Sequence, residues 1–420
     1  MNQTHQYFAV WGNNPALSAG ELESVCRAGG IGISLVSYLP YAMIFGSDRE
    51  LDFSFWKNLG GWIKAARKVE VNLEPEKLAE YLDGRIEEGR VTFGMSVYGF
   101  SQKERSDLYR GALTTKKILV ERGRSCRLVW DDHGVLSAVT VDKNNLLDKG
   151  VELVAYKRGG EVEVYETVFV QEFEEFSERD YGRPSRDPRS GMLPPKLARM
   201  MINLAGVRAS DNPFLVDPFC GSGTVATEAL DMGYRHLGAW DISPKCWSDT
   251  QANVAWQLGR MGLDRKDVDF VGGVADAKTL GEQLDLESVD AFVWEGYLGP
   301  SDRRMKTLGE ASKIMGEMDR LYQDVFSVLS RILKKGGVIV AALPVFYLGE
   351  GEYKWQNFAQ NPRDFVMIDI KKIATGAGLE LSAEKNIEKP LMGSIPKRGT
   401  ILYGRADQKV LREIVRLVKN

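Results

Sequence analysis

Up to about Gln171, apolar runs of strand length alternate with amphipathic stretches of helical period. A strand-like run from Tyr7 to Val10 leads into Gly12-Asn13-Asn14-Pro15, and Ser18 then caps a helix whose apolar faces include Leu22, Val25 and Cys26. Residues 31–36 and 42–45 read as further strands, which predicts a small α+β unit ending near Leu59. Leu59-Gly60-Gly61-Trp62-Ile63-Lys64 punctuates the chain. Beyond it the pattern predicts a helix over 75–82, an alternating strand over 92–98 and a helix over 105–122. Strands over 125–130, 151–156 and 161–170 complete a second α+β unit.

Residues 171–195 break the rhythm. The stretch to Asp180 is acidic and poor in aliphatics, and 181–195 is rich in Pro, Gly and Arg, as in an ordered linker. Pro195 then opens a helix with Leu197, Met200, Met201 and Leu204 on one face, and Gly206 ends it. Strand and helix patterns follow in turn: 214–217, 224–232, 235–240, 244–258, 268–271, an acidic helix or turn to Leu284, and 289–294. This is the βαβ rhythm of a parallel, doubly wound α/β sheet. A long helix over 314–335 stops at Gly336-Gly337 before a buried strand over 338–343. A helix over 365–377 and strands over 379–383 and 400–403 are expected next, and 410–418 fits helical and strand periods equally.

The chemistry centres on Phe214-Leu215-Val216-Asp217-Pro218-Phe219-Cys220-Gly221-Ser222-Gly223-Thr224, where an apolar strand ends in an acid and turns through two glycines into a helix. A side chain at Gly221 or Gly223 would hold backbone N–H groups away from a nucleotide-like ligand. Asp241 follows the next apolar segment, about twenty residues on, where an acid accepts from ribose hydroxyls. Dinucleotides and S-adenosylmethionine both carry such a ribose. Asp217, immediately before the loop, would repel a pyrophosphate and suits an ammonium or sulfonium ligand. Its alternative role is to cap the loop amides.

The run Asp217 to Thr224, with Glu228-Ala229 after it, closely resembles the cofactor loop of amino-methylating class I methyltransferases that act on RNA. Arg179-Asp180, Gly182-Arg183-Pro184, Arg186-Asp187 and Gly191-Met192-Leu193-Pro194-Pro195-Lys196-Leu197-Ala198 resemble the lead-in of the THUMP-containing, Trm11-like tRNA guanosine N2-methyltransferases. Asn14-Pro15-Ala16-Leu17-Ser18 with Glu21-Leu22 resembles the N-terminal ferredoxin-like piece of those enzymes. The resemblance implies a ferredoxin-like domain at 1–60, a THUMP RNA-binding domain at 61–172, a linker at 173–195 and a class I, Rossmann-like, S-adenosylmethionine-dependent methyltransferase domain at 196–420. A strand at 410–418, hairpinned with 400–403, would suit the antiparallel edge of that class.

The same resemblance implies site roles. Asp217 would face the methionine ammonium, Asp241 the ribose and Asp276 the adenine amino group, with Phe219 packed near the cofactor. Asp276 is equally placed to cap a helix, and Phe219 to join the core. Where these enzymes carry an acid, two prolines and an aromatic residue, this chain reads Glu295-Gly296-Tyr297-Leu298. Glu295 takes the acid position, Gly296 the carbonyl position and Tyr297 the stacking position. The acid and carbonyl would hold the two hydrogens of a guanine amine while the aromatic ring stacks on a base turned out of its helix. Glu is one methylene longer than Asp, and glycine for proline predicts a looser loop.

Composition changes this picture little. At 420 residues, 44% hydrophobic and 27% charged, the chain supports two or three domains of a soluble protein. A formal net charge of −3 excludes a bulk polycation, so nucleic-acid contact falls to local patches. The best such patch holds Lys103, Arg105, Arg110, Lys116, Lys117, Arg122, Arg124 and Arg127, interleaved with Tyr98, Phe100 and Tyr109. A solvated helix face would look the same. Arg179, Arg183, Arg186 and Arg189 could touch RNA or pair with neighbouring acids, and Asp302, Arg303 and Arg304 could touch phosphate or cap a helix. Four scattered cysteines and three histidines predict no metal site and no disulfide framework. Cys220 and Cys246 lack a nearby base, so transfer is expected to be direct. No basic-then-apolar leader is read, and the apolar window 338–348 is too short to span a bilayer, which fits a reducing cytoplasm. The expected partner is tRNA; dependence on a small activator subunit and the oligomeric state stay open. Two other readings remain: an inactive RNA-binding protein on a methyltransferase scaffold, and a nicotinamide-dependent oxidoreductase resting on the Gly loop and Asp241.

Overall fold

A computed structural model describes residues 5–186, 192–299, 307–382 and 391–420. The chain divides into two compact units, one of residues 1–12, 31–57 and 62–173, the other of 13–30, 58–61 and 174–420.

The first unit is built on one eight-stranded sheet. Its strands are β1 (His5–Trp11), β2 (Ile33–Tyr38), β3 (Ala42–Ser47), β4 (Trp62–Val69), β5 (Val91–Tyr98), β6 (Cys126–Val129), β7 (Gly150–Arg158) and β8 (Glu161–Val170), in the order β2-β3-β1-β4-β8-β7-β5-β6. Pairing is antiparallel except around β5, which runs parallel to β6 and β7. The sheet runs through the boundary expected near Leu59, because β1 pairs with β4 through Phe8↔Ala66 and Ala9↔Ala65. The stretch read as punctuation is thus the start of a strand. Lys64 hid it: a cation breaks the apolar run, yet its Nζ is buried against the Glu152 carboxylate and the Leu136 carbonyl. Helices Pro75–Arg85 and Gln102–Glu121 cover part of one face, burying Leu78, Leu82, Ala112 and Leu119 against Phe93 and Leu153. Ser101 and Glu104 form a capping box at the start of the second helix.

The helix Pro15–Ala28 groups with the second unit. Asn14, not Ser18, is its N-cap, accepting from Leu17 N at 3.0 Å, and Pro15 takes the first turn, where a missing N–H costs nothing. Ser18 lies inside the helix and donates to the carbonyls of Asn14 and Gly61.

The second unit holds β9 (Leu215–Asp217), β10 (His236–Asp241), β11 (Asp269–Val274), β12 (Val289–Glu295), β13 (Leu333–Tyr347), β14 (Phe365–Met367), β15 (Leu379–Leu381), β16 (Ser394–Ile395), β17 (Thr400–Tyr403) and β18 (Val410–Lys419). The order is β11-β10-β9-β12-β13-β18-β17-β16, with β14 against β13 and β15 against β18. Strands β9 to β13 are parallel. β18 is antiparallel to both β13 and β17. The segment that fitted two periods is therefore a strand, hairpinned with 400–403 and inserted beside β13. An oxidoreductase of the classical order would stay parallel there.

Helix Leu308–Ile332 packs Tyr322, Phe326 and Leu329 onto Phe292, Trp294 and Ile339. It ends at Ile332, earlier than Gly336, which lies near the start of β13 with a φ of +74°. In place of one helix over 365–377 the chain forms β14 and then Ile370–Gly376. Phe365 is drawn into an aromatic cluster with Tyr347 and Tyr353, and the Asp369 carboxylate accepts from Lys372 N to start the helix. Among the described residues no helix is long and apolar enough to cross a membrane, and no cluster of His, Cys, Asp and Glu could hold a metal.

Candidate functional site

The strand order reverses between β9 and β12, and their carboxyl ends carry Asp217 and Glu295. A crevice opens at such a switch point because the flanking helices leave the sheet in opposite directions. Here it is a cavity of about 470 Å³, within the range of small-molecule sites. Asp217, Phe219, Gly221, Asp241 and Asp276 line it from one side, and Glu295, Gly296 and Tyr297 from β12 and the loop after it.

Gly223 does not line it. It caps the helix Thr224–Asp231 with φ +80°, and a Cβ there would lie 3.1 Å from the Thr250 side chain. Its requirement is a left-handed turn and close helix packing rather than room for a ligand. Gly221 has φ +52° and open space where a Cβ would point, so it too is fixed by conformation.

Asp217 is buried and accepts from Phe219 N at 2.9 Å. Burial pushes its carboxyl well above the usual carboxylate range, and the charges of Asp241 and Glu295 push the same way. Asp241 steadies the loop, accepting from Gly221 N and from Ser243 N at 2.9 Å each. Those bonds leave carboxylate lone pairs for a further donor. Asp276 accepts from Lys278 N at 3.0 Å as a helix cap while facing the cavity. Phe219 packs on Trp294, with ring centroids 6.3 Å apart, and also lines the cavity. The Cys220 thiol accepts from Thr250 Oγ1 at 3.3 Å, and burial pushes the Cys220 and Cys246 thiols up, away from the thiolate form.

Among the described residues five acidic side chains line the cavity, those of Asp217, Asp241, Asp249, Asp276 and Glu295, against one cation, Lys278. The lining therefore favours a positively charged ligand over a pyrophosphate.

On the β12 side Glu295 is largely buried and pairs with Arg412 of β18. Burial raises its pKa, and the Arg412 guanidinium opposes that rise. A Cβ on Gly296 would sit 2.2 Å from the Tyr322 hydroxyl, so glycine is required there. The same hydroxyl donates to the Tyr297 carbonyl at 2.8 Å. The loop expected to be loose is thus tied to a fully buried tyrosine. The Tyr297 ring is half exposed at the cavity. Asp302, Arg303 and Arg304 lie outside the described residues, as does Arg189.

Of the linker arginines, Arg179 is buried and pairs with Glu228 at 2.7 Å and Asp231 at 3.5 Å, which removes it from RNA contact. Arg183 is buried too, its guanidinium donating to Thr224 Oγ1 at 2.7 Å. Arg186 is exposed and stacks over the Tyr181 ring. Sequence reasoning missed Tyr322, Lys278, Ile242 and Arg412. Ile242 and Lys278 directly follow or neighbour the predicted acids, and that adjacency was the available signal; Arg412 and Tyr322 are brought in from far along the chain.

Residues 183–276 match the UPF0020 family, described as an RMKL-like methyltransferase domain. The chain is 37% identical over 166 residues to the tRNA (guanine(10)-N2)-dimethyltransferase of Methanothermobacter thermautotrophicus, covering 40% of this chain and 42% of that protein. It is 30% identical over 186 residues to the enzyme of the same name from Methanocaldococcus jannaschii, covering 42% and 46%. The chain thus spans less than half the length of these curated relatives. The crystal structure of TrmN from Thermus thermophilus aligns over 99% of this chain and 100% of that one, with a TM-score of 0.50 and 16% identity, a likeness of fold. Residues 183–276, which hold the Gly loop, Asp241 and Asp276, are therefore similar to an RMKL-like methyltransferase domain.

Proposed function

We propose that this chain is an S-adenosylmethionine-dependent RNA methyltransferase that methylates the exocyclic N2 of a guanosine in tRNA. The observation that carries the reading is a strongly acidic switch-point cavity between the Gly loop, which lies in the segment 183–276 matched by a methyltransferase domain family, and Glu295-Gly296-Tyr297 beyond that segment. Both curated relatives are named for guanine N2 dimethylation of tRNA.

The cofactor supplies an electrophilic methyl on a positively charged sulfur. Asp217 faces its ammonium, Asp241 accepts from its ribose and Asp276 from its adenine amine, with Phe219 closing the floor. The guanine amine is a weak nucleophile because its lone pair is delocalised into the ring. Glu295 and the Gly296 carbonyl hold its hydrogens so that the lone pair stays aimed, and Tyr297 stacks on the base. Methylation of the amine would release a proton from nitrogen, and Glu295 would be the group to accept it.

In this reading residues 1–60 form the ferredoxin-like piece and 61–172 a THUMP domain that supplies RNA contact, with 173–195 as linker and 196–420 as catalyst. Lys103, Arg110, Lys117, Arg122 and Arg127 are exposed in the basic patch, Arg110 beside Asp107 and Lys117 beside Glu121, whereas Arg124 pairs with Asp83 and Arg105 bonds the His133 carbonyl. tRNA in the cytoplasm is the expected substrate. The test is incubation with methyl-labelled cofactor and unmodified tRNA: label in tRNA, lost on Glu295→Ala, supports the proposal. Cofactor binding without transfer to any RNA contradicts it.

A further inference from the structure

We propose that Arg412 is a positioning residue for the transfer step, holding the Glu295 carboxylate in one rotamer beside the cavity. The inference rests on the methyl-transfer reading above and explains why the acid is glutamate.

The sheet register sets the geometry. Glu295 on β12 faces Ala342 on β13, and Ala342 and Pro344 in turn face Ile414 and Arg412 on β18. All five residues share one face of the sheet, since partners in register point the same way and residues two apart repeat it. β12 and β18 are separated by a whole strand, roughly 9.6 Å centre to centre. Only a long acid and a long cation can meet across that gap, and the small Ala342 and compact Pro344 leave the space between them open. Aspartate would fall short by roughly one carbon–carbon bond, ~1.5 Å.

The pair is strongly enclosed. Arg412 is 4% exposed, and the Glu295 side chain 13%. Arg412 does not line the cavity, so it reaches a ligand only through Glu295. A carboxylate that must accept amine hydrogens and then a proton has to be ionised before transfer. The titratable groups close enough to feel the Glu295 charge are Asp217 from β9, Tyr322 from helix Leu308–Ile332, Tyr403 from β17 and Arg412 from β18, of which Arg412 touches it. Arg412 is the cation among them, and burial opposes ionisation. Without Arg412 the carboxyl keeps its proton to higher pH and its side chain is free to turn.

The test compares full-length wild type with Arg412→Gln, Arg412→Lys and Glu295→Gln. Arg412→Gln is expected to lower kcat about 10²-fold at neutral pH and to move the acid limb of kcat upward. KM for tRNA and the Kd for S-adenosylhomocysteine stay near wild type. Arg412→Lys returns part of the rate and moves the limb back. Glu295→Gln abolishes the limb, and Arg412→Gln added to it changes the profile no further. Unchanged kcat and an unmoved limb in Arg412→Gln overturn the proposal while leaving the methyltransferase reading intact. A readout independent of activity is the carbon-13 carboxyl resonance of Glu295, assigned by its loss in Glu295→Gln. It should titrate higher in Arg412→Gln and between that and wild type in Arg412→Lys, so a wild type inert towards RNA still tests the pairing, and the smaller rise in Arg412→Lys tests it if Arg412→Gln fails to fold. An identical titration with and without Arg412 overturns it.

Discussion

Replacing Gly296 with alanine tests how the loop after β12 is held. The added Cβ would lie 2.2 Å from the Tyr322 hydroxyl and 2.9 Å from its ring carbon, more than 1 Å inside an ordinary carbon–oxygen contact at the nearer point. Tyr322 cannot swing away, because it is fully buried among Trp294, Phe326 and Phe346. Relief must come from the loop, at about 1–3 kcal/mol for overpacking. Moving the loop also breaks the Tyr322 bond to the Tyr297 carbonyl, worth about 1 kcal/mol. The sum, about 2–4 kcal/mol, corresponds to a fall of roughly 4–16 °C in the Tm of a unit this size. Differential scanning calorimetry reads the first quantity and single-turnover methyl transfer the second, since Glu295 and Tyr297 move with the loop. Tyr322→Phe alone should cost only the hydrogen bond. In the double variant the shortest clash is gone, so the two losses should fall short of additive by at least ~1 kcal/mol. A Gly296→Ala protein with wild-type Tm and rate, or strictly additive losses, refutes the reasoning.

Three further outcomes follow from buried charge. An ammonium beside Asp217 would stabilise its ionised form, so S-adenosylhomocysteine binding should release a proton over the pH range in which free Asp217 is protonated, read by calorimetry in buffers of different ionisation enthalpy; release abolished in Asp217→Asn agrees, and proton uptake by wild type does not. Glu21 accepts from Gly60 N, Gly61 N and Asn203 Nδ2, yet burial pushes its carboxyl up to about 7 from 4.5. The native state then holds more protons than the unfolded one between those values, so this contribution to stability falls as pH rises across the window; Glu21→Gln should flatten that slope in urea unfolding, and an unaltered slope contradicts the assignment. Glu228→Gln leaves the buried Arg179 and Arg199 guanidiniums short of a shared carboxylate and should cost about 3–5 kcal/mol in urea unfolding; a loss below ~1 kcal/mol would mean the network is not structural.

The C-terminal sheet was legible because buried parallel strands are apolar runs set between helical periods, and Asp217, Asp241 and Glu295 could be placed at strand ends from that rhythm alone. β18 was ambiguous for a physical reason: Arg412 and Glu413 are both buried, each paired on its own face, so neither period stands out. β4 was lost to Lys64 in the same way. The Gly loop was read as open for a ligand at both glycines, whereas Gly223 answers to the Thr250 side chain one helix away. Glycine at 296 promised looseness because sequence shows the missing side chain and not the tyrosine that fills its place. Long-range pairs such as Glu295 with Arg412, 117 residues apart, leave no local pattern to find.

The central claim is that the acidic switch-point cavity delivers a methyl group to a guanine amine held by Glu295. Mass spectrometry of nucleosides from unmodified tRNA, after incubation with this chain and S-adenosylmethionine, tests it most directly. N2-methylated guanosine that disappears with Glu295→Ala is the predicted result. Methyl on another atom, or none on tRNA while S-adenosylmethionine binds, contradicts the account.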